Sequence, residues 1–187
     1  MKNNLILLSC LSAGVGQLVA TPAQAEEGKR KQTQEKAPNV IVILADDLGY
    51  GDLQCYGAKN VETPNVNRLA AQGIRFTNTH AVAATSTPSR YSLLTGEYAW
   101  RRPDTDVAAG NAGMIIRPEQ YTMADMFKSA GYRTAAFGKW HLGLGDKTGR
   151  QDWNAPLPCG LADIGFDEHY IMAATADRVP CVFIQNG

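Results

Sequence analysis

The stretch Asn39-Val40-Ile41-Val42-Ile43-Leu44-Ala45-Asp46-Asp47 decides the fold class. Val40 to Leu44 show no polar alternation, the pattern of a strand buried on both faces of a sheet, and the run ends abruptly in two carboxylates. Helix and strand signals alternate downstream of it. Thr63-Pro64 predicts a helix start, with Thr63 as cap, Val66, Leu69 and Ala70 as the inner face and Gly73 as the stop. Thr87-Pro88 and Gly96 repeat those signals. Thr122 with Asp125 opens a third helix, whose apolar stripe Met123, Met126, Phe127 and Ala130 ends at Gly131. Arg133 to Phe137 reads as a second core strand closed by a turn at Gly138. Pro156, Pro158 and Gly160 mark loops, and Val179 to Ile184 reads as one more strand. Strands alternating with helices predict an α/β fold with a largely parallel sheet.

Outside these elements, composition sets limits. Eighteen lysines and arginines balance eighteen aspartates and glutamates in 187 residues. The basic excess of nucleic-acid binders is therefore missing, although a local basic pocket for an anion is compatible with the balance. Residues 1–25 read as a signal peptide: Lys2, an apolar run from Leu5 to Val19, and the small-x-small site Ala23-Gln24-Ala25. The run is too short and interrupted for a stable membrane span. Residues 26–37 form a polar linker, and the expected destination is secretion, to a bacterial periplasm. Leu7-Leu8-Ser9-Cys10 is the alternative, a lipoprotein box anchored at Cys10. Cleavage after Ala25 leaves Cys55, Cys159 and Cys181, which fit either one disulfide with a free thiol or three thiols.

Three clusters carry the groups that do chemistry, in a fold whose ligands sit beyond the carboxyl ends of strands. Asp46-Asp47 offers hard oxygen donors for a divalent cation, or a turn with one helix cap and one exposed acid. Ser86-Thr87-Pro88-Ser89-Arg90 places Ser86 just before a helix N-terminus, where free N–H groups favour an anion, and Arg90 one turn further in. The same residues also suit a plain capped helix with a surface arginine. In Gly138-Lys139-Trp140-His141, an extended chain puts Lys139 and His141 on one side and Trp140 on the other. Those two residues serve an oxyanion and a proton, or simply flank a core tryptophan. Together the three clusters suit transfer of a tetrahedral anion, sulfate or phosphate.

The run Ser86-Thr87-Pro88-Ser89-Arg90-Tyr91-Ser92-Leu93-Leu94-Thr95-Gly96 resembles the signature of the type I sulfatases: Cys or Ser, any residue, Pro, Ser, Arg, then a glycine six positions on. The resemblance extends over Asn39 to Tyr50, Thr63-Pro64-Asn65 and Gly138-Lys139-Trp140-His141-Leu142-Gly143, most of residues 38–145. It implies an alkaline-phosphatase-like sandwich with a large, mostly parallel central sheet flanked by helices, with residues 38–187 as the N-terminal part of the catalytic domain. It implies release of sulfate from an organic sulfate ester, a sulfated small molecule or glycan. The nucleophile would be formylglycine made from Ser86 by a radical S-adenosylmethionine maturase. One hydroxyl of the hydrated aldehyde attacks sulfur, and the second lets sulfate leave. By the same resemblance, Asp46, Asp47 and the modified Ser86 would bind Ca2+. Arg90 would hold the hydrate, Lys139 would contact sulfate, and His141 would assist deprotonation of the second hydroxyl.

The family draws a second calcium-binding pair, a further histidine and a further lysine from later in a longer chain. No matching segment precedes Gly187. The expectation is a fragment that is poorly folded or inactive alone. Two alternatives remain beside sulfate hydrolysis. One is a phosphomonoester or phosphonate-ester hydrolase of the same superfamily, and the other a non-catalytic binder of sulfated glycans with Ser86 unmodified.

Overall fold

The computed structural model describes residues 37–179 and 181–186. The leader, most of the linker and the Cys10 alternative lie outside them. The chain divides into two units, Met1–Ile43 and Leu44–Gly187. In the first, residues 37–43 form no regular element, and Ile41 and Ile43 are each 83% exposed. The strand expected at Val40–Leu44 is therefore not formed. A strand is held by ladder hydrogen bonds to a neighbour, and no ladder among the described residues includes this run. Its side chains suit a buried strand, but the sequence of the run itself provides no partner.

In the second unit, α1 (Pro64–Gln72) starts at Thr63 with Pro64 in the first turn and closes on the Gly73 N–H to Leu69 carbonyl bond. Thr63 caps by position only. Its hydroxyl oxygen accepts from the Gln54 N–H at 3.1 Å, while the Gln54 side-chain carbonyl accepts from the Thr63 N–H and from Asn67. This polar clamp, rather than an apolar stripe, docks α1 on the 3-10 turn Gln54–Tyr56. Leu69 is 67% exposed and Val66 is exposed too, so the inner face expected from Val66 and Leu69 is not one. Among the described residues no element lies opposite it to bury it.

Helix α2 spans Ser86–Thr95 and ends at Gly96, whose φ of 70° is left-handed, with its N–H on the Ser92 carbonyl. Ser86 is thus the first helical residue rather than the one before the helix. Helix α3 (Met123–Ser129) begins with the expected capping box: the Thr122 hydroxyl accepts from the Asp125 N–H, and the Asp125 carboxylate accepts from the Thr122 N–H. Such a cap is worth about 1 kcal/mol. Ala124 is the fully buried residue of α3, whereas Met126 and Ala130 are exposed, which narrows the expected stripe.

The sheet has the order β1-β2-β3, with β1 at Ala135–Lys139, β2 at Glu168–Met172 and β3 at Phe183–Gln185. β1 and β2 are parallel, in register from Ala135 opposite Glu168 to Lys139 opposite Met172, and β2 and β3 are antiparallel. The α/β expectation holds, with a mixed sheet among the described residues. β1 runs two residues past Phe137, passing through Gly138 at φ 95° instead of turning there. Of the Val179–Ile184 strand only the end forms, because Pro180 has no N–H to give a ladder. β2 gave no sequence signal of its own. Tyr91, Ile116, Trp140, Leu142, Leu161, Ile164 and Ile171 fill the core. Cys55, Cys159 and Cys181 are free thiols, and no helix among the described residues is long and apolar enough to cross a membrane.

The entry into β1 is fixed electrostatically. The Asp167 carboxylate accepts from the Thr134 N–H at 2.9 Å and from its hydroxyl at 3.1 Å, and pairs with Lys128 of α3. The Thr134 amide first, and then Lys128, hold its carboxyl down at about 2. A carboxyl depressed below its unfolded value stabilises the fold above pH 3.8, and that contribution disappears as pH falls through about 2. Asp167→Asn is therefore expected to melt lower than wild type at pH 7, with the gap closing between pH 3.8 and 2. Melting curves across that range check it; a gap that persists at pH 2 would refute the assignment.

Candidate active site

Ser86 lies at the first turn of α2, and Arg90 follows one turn later on the same face. The Arg90 side chain is only 12% exposed, and its three nitrogens reach three groups. Nε donates to the Ser86 Oγ at 3.0 Å, Nη1 to the Lys139 carbonyl at 2.9 Å, and Nη2 to Asp46 Oδ1 at 3.0 Å. A planar fork with fixed donor directions can do this; a flexible ammonium cannot. The other Asp46 oxygen takes the Lys139 ammonium. Lys139 foremost, with Arg90, pulls the Asp46 carboxyl below its ordinary range, against the opposing effect of burial.

His141 completes the group from a backbone turn just after β1. Its φ is 55°, a left-handed conformation that costs a non-glycine residue about 1 kcal/mol. Several contacts enforce it. Trp140 is buried edge-on against Phe166, with its indole N–H on the Gly143 carbonyl at 2.8 Å. Gly143 is required where it stands: a Cβ there would meet the Gly113 carbonyl oxygen at 1.9 Å. The His141 ring is held between two oxygens, Ser86 Oγ on Nδ1 at 3.0 Å and the Ala108 carbonyl on Nε2 at 3.0 Å. A carbonyl only accepts, so Nε2 carries the proton and Nδ1 presents its lone pair to the Ser86 hydroxyl. Burial first, then the charges of Lys139, Arg178 and Arg90, lower the His141 pKa against the pull of the Ala108 carbonyl, favouring this neutral form.

The structure thus brings Ser86, Arg90, Lys139, His141 and Asp46 together from three distant segments. Lys139 and His141 face the site while Trp140 enters the core, but His141 does so through a left-handed turn after β1 and not along the extended chain that the alternation assumed. Two residues escaped sequence reading. Thr87 is fully buried, and its hydroxyl donates to the His141 carbonyl at 2.9 Å while accepting from the Ala108 N–H at 3.0 Å. It fastens α2 to both segments that orient the imidazole. Ala108 acts through its backbone alone, which leaves no trace in residue type.

Asp47 follows a different course. It has φ 57°, and its carboxylate makes no hydrogen bond or ion pair among the described residues. Asp46, Asp47 and Ser86 offer the hard oxygen donors that Ca2+ takes, so they fit it in kind. They supply part of the six to eight oxygens it usually takes, and the described residues hold no cluster of three acidic, histidine or cysteine donors to complete the set. Around Ser86, two cationic side chains against one paired carboxylate leave a net positive charge, on a helix N-terminus. That arrangement attracts an anion and stabilises negative charge that develops next to the Ser86 oxygen.

The sequence model of the Sulfatase family matches residues 38–178. An N-acetylgalactosamine-6-O-sulfatase of Bacteroides thetaiotaomicron is 50% identical over all 187 residues, which cover 36% of that protein. A solved structure from work on the metabolism of multiple glycosaminoglycans by the same organism superposes with a TM-score of 0.77 at 57% identity, covering 80% of this chain and 31% of that one. Another, in complex with its substrate D-glucosamine-2-N,6-O-disulfate, superposes with a TM-score of 0.57 at 35% identity, covering 74% of this chain and 24% of that one. The chain spans about a third of the length of the first of these relatives. With the family match running from the Asp46 segment through α2, the His141 turn and β2, the chain belongs to the sulfatase family.

Proposed function

We propose that this chain supplies the nucleophile side of a sulfatase active site, and that the protein it belongs to hydrolyses the sulfate ester of an amino-sugar glycan. One observation carries the reading: Ser86 Oγ sits between the Arg90 Nε donor and the His141 Nδ1 acceptor at the start of α2. The names of the relatives, an N-acetylgalactosamine-6-O-sulfatase and a glucosamine-disulfate complex, support the substrate class.

In this reading Ser86 is matured to formylglycine by a radical S-adenosylmethionine enzyme, and the hydrated aldehyde supplies one hydroxyl to attack sulfur and a second to expel sulfate. Arg90 orients the group at position 86 through Nε and neutralises charge on it. His141, neutral and with its proton on Nε2, takes a proton at Nδ1 from a hydroxyl at that position. Lys139 turns from Asp46 to the sulfate oxygens. Asp46 and Asp47, with the oxygen at position 86, would hold Ca2+, which polarises the ester when bound. Residues 38–187 form part of the catalytic domain, and the leader-like residues 1–25 support export to the periplasm.

Full-length protein made with its maturase should release inorganic sulfate from N-acetylgalactosamine 6-sulfate. The tryptic peptide Phe76–Arg90 should be lighter than its sequence mass by ~2 Da, the loss of two hydrogens. An unmodified peptide from active protein would overturn the chemistry.

A further inference from the structure

A second charged pair stands at the same end of the sheet and is not used above. β2 ends at Met172, opposite Lys139. The pairing continues past both strands, with the Trp140 N–H on the Met172 carbonyl and the His141 N–H on the Ala173 carbonyl. The chain leaving β2 is therefore fixed at the edge that carries His141. Ala173 and Ala174 are buried, and the Arg178 N–H closes a turn on the Thr175 carbonyl. The turn presents an exposed Asp177 and a half-buried Arg178.

It also packs on the segment that orients His141. A Cβ on Gly110 would lie 3.3 Å from the Arg178 Cβ and 3.1 Å from the Val179 carbonyl oxygen. Gly110 is two residues beyond Ala108, whose carbonyl receives the imidazole proton. Charge reports the same neighbourhood: Arg178 acts on His141.

Arg178 differs from the other cations of the site. Arg90 and Lys139 are both paired, whereas the Arg178 Nε is buried with no hydrogen-bond partner among the described residues. A buried donor left unpaired is costly, and a bound ligand that accepts from it removes that cost. An arginine alone would suit a second anion. An aspartate beside it repels anions and accepts O–H donors, so the pair matches a neutral diol.

We propose that Asp177 and Arg178 read the sugar of the sulfate ester, Arg178 donating and Asp177 accepting hydrogen bonds at neighbouring ring hydroxyls. This rests on the sulfatase reading above and assigns its specificity to the turn after β2.

Calorimetry on the full-length protein, with Ser86→Ala to prevent turnover, tests it. The probes are N-acetylgalactosamine 6-sulfate, glucosamine 2-N,6-O-disulfate and inorganic sulfate. Asp177→Asn and Arg178→Gln are each expected to weaken binding of at least one sugar sulfate about 10–100-fold, with inorganic sulfate held within about threefold. Equal weakening of sugar sulfate and sulfate would overturn the proposal, as would unchanged sugar binding by both folded variants. If Arg178→Gln does not fold, the exposed Asp177 decides the outcome by itself. A parent that binds sulfate but neither sugar overturns the sugar assignment and leaves the sulfatase reading standing. One that binds none of the three removes both.

Discussion

Ser86→Ala in the full-length matured protein is expected to lower kcat on a sulfated amino sugar by about 10⁴-fold or more, with little change in melting temperature. Among the described residues, Ser86 Oγ is the one side-chain atom hydrogen-bonded to both Arg90 and His141. Without it, neither the charge of Arg90 nor the lone pair of His141 has a reacting oxygen to act on. The fold does not depend on this oxygen. Thr87 next to it carries the bonds that tie α2 to the His141 and Ala108 segments, and they remain. Sulfate release measured by ion chromatography decides the matter. Activity above about 1% of wild type would show that another residue is the nucleophile.

Arg90→Lys should be nearly as severe, lowering kcat/KM by about 10²–10³-fold although charge is conserved. The guanidinium binds Ser86, the Lys139 carbonyl and Asp46 at once, and an ammonium on a flexible stem can keep one of the three. Two lost charge-assisted bonds, each worth about 1.5–3 kcal/mol where water is excluded and less at the exposed Asp46 contact, give a loss of that order. The lost bond to the Lys139 carbonyl also frees the end of β1, so a modest fall in melting temperature should accompany the kinetic effect. A variant within tenfold of wild type would mean that Arg90 contributes charge and not geometry.

How far these residues were legible in sequence follows from the range of the forces involved. Pro64, the Thr122–Asp125 box and Gly96 act within one helical turn, and each helix begins or ends where they indicated, to within a residue. That Ser86, Arg90, Lys139 and His141 belong together was legible because each lies in a short motif of distinctive chemistry, and hydrogen bonds do group them. Asp46 and Asp47 looked equivalent as neighbours. The backbone separates them: Asp46 bridges two cations, while Asp47 turns through positive φ to a carboxylate with no ion pair among the described residues.

The Val40–Leu44 run shows the converse. Apolar patterning states what a strand would bury, but pairing is a property of two segments, and this run, with no neighbour in register among the described residues, stays exposed. Ala108 and Thr87 were invisible for a related reason, since a backbone carbonyl and a threonine in a variable position gain meaning only from what they face.

By itself the sequence determined most of the helix ends, though not the start of α2, and the α/β class and the chemical types of the site, all of which depend on near neighbours or on side-chain identity. Tertiary structure alone decided the tautomer of His141, the threefold grip of Arg90, the role of Thr87 and the packing of the Arg178 turn on Gly110, next to the segment that orients the imidazole. Those depend on contacts between residues tens of positions apart, which hydrogen-bond direction and packing fix only after the chain has closed on itself.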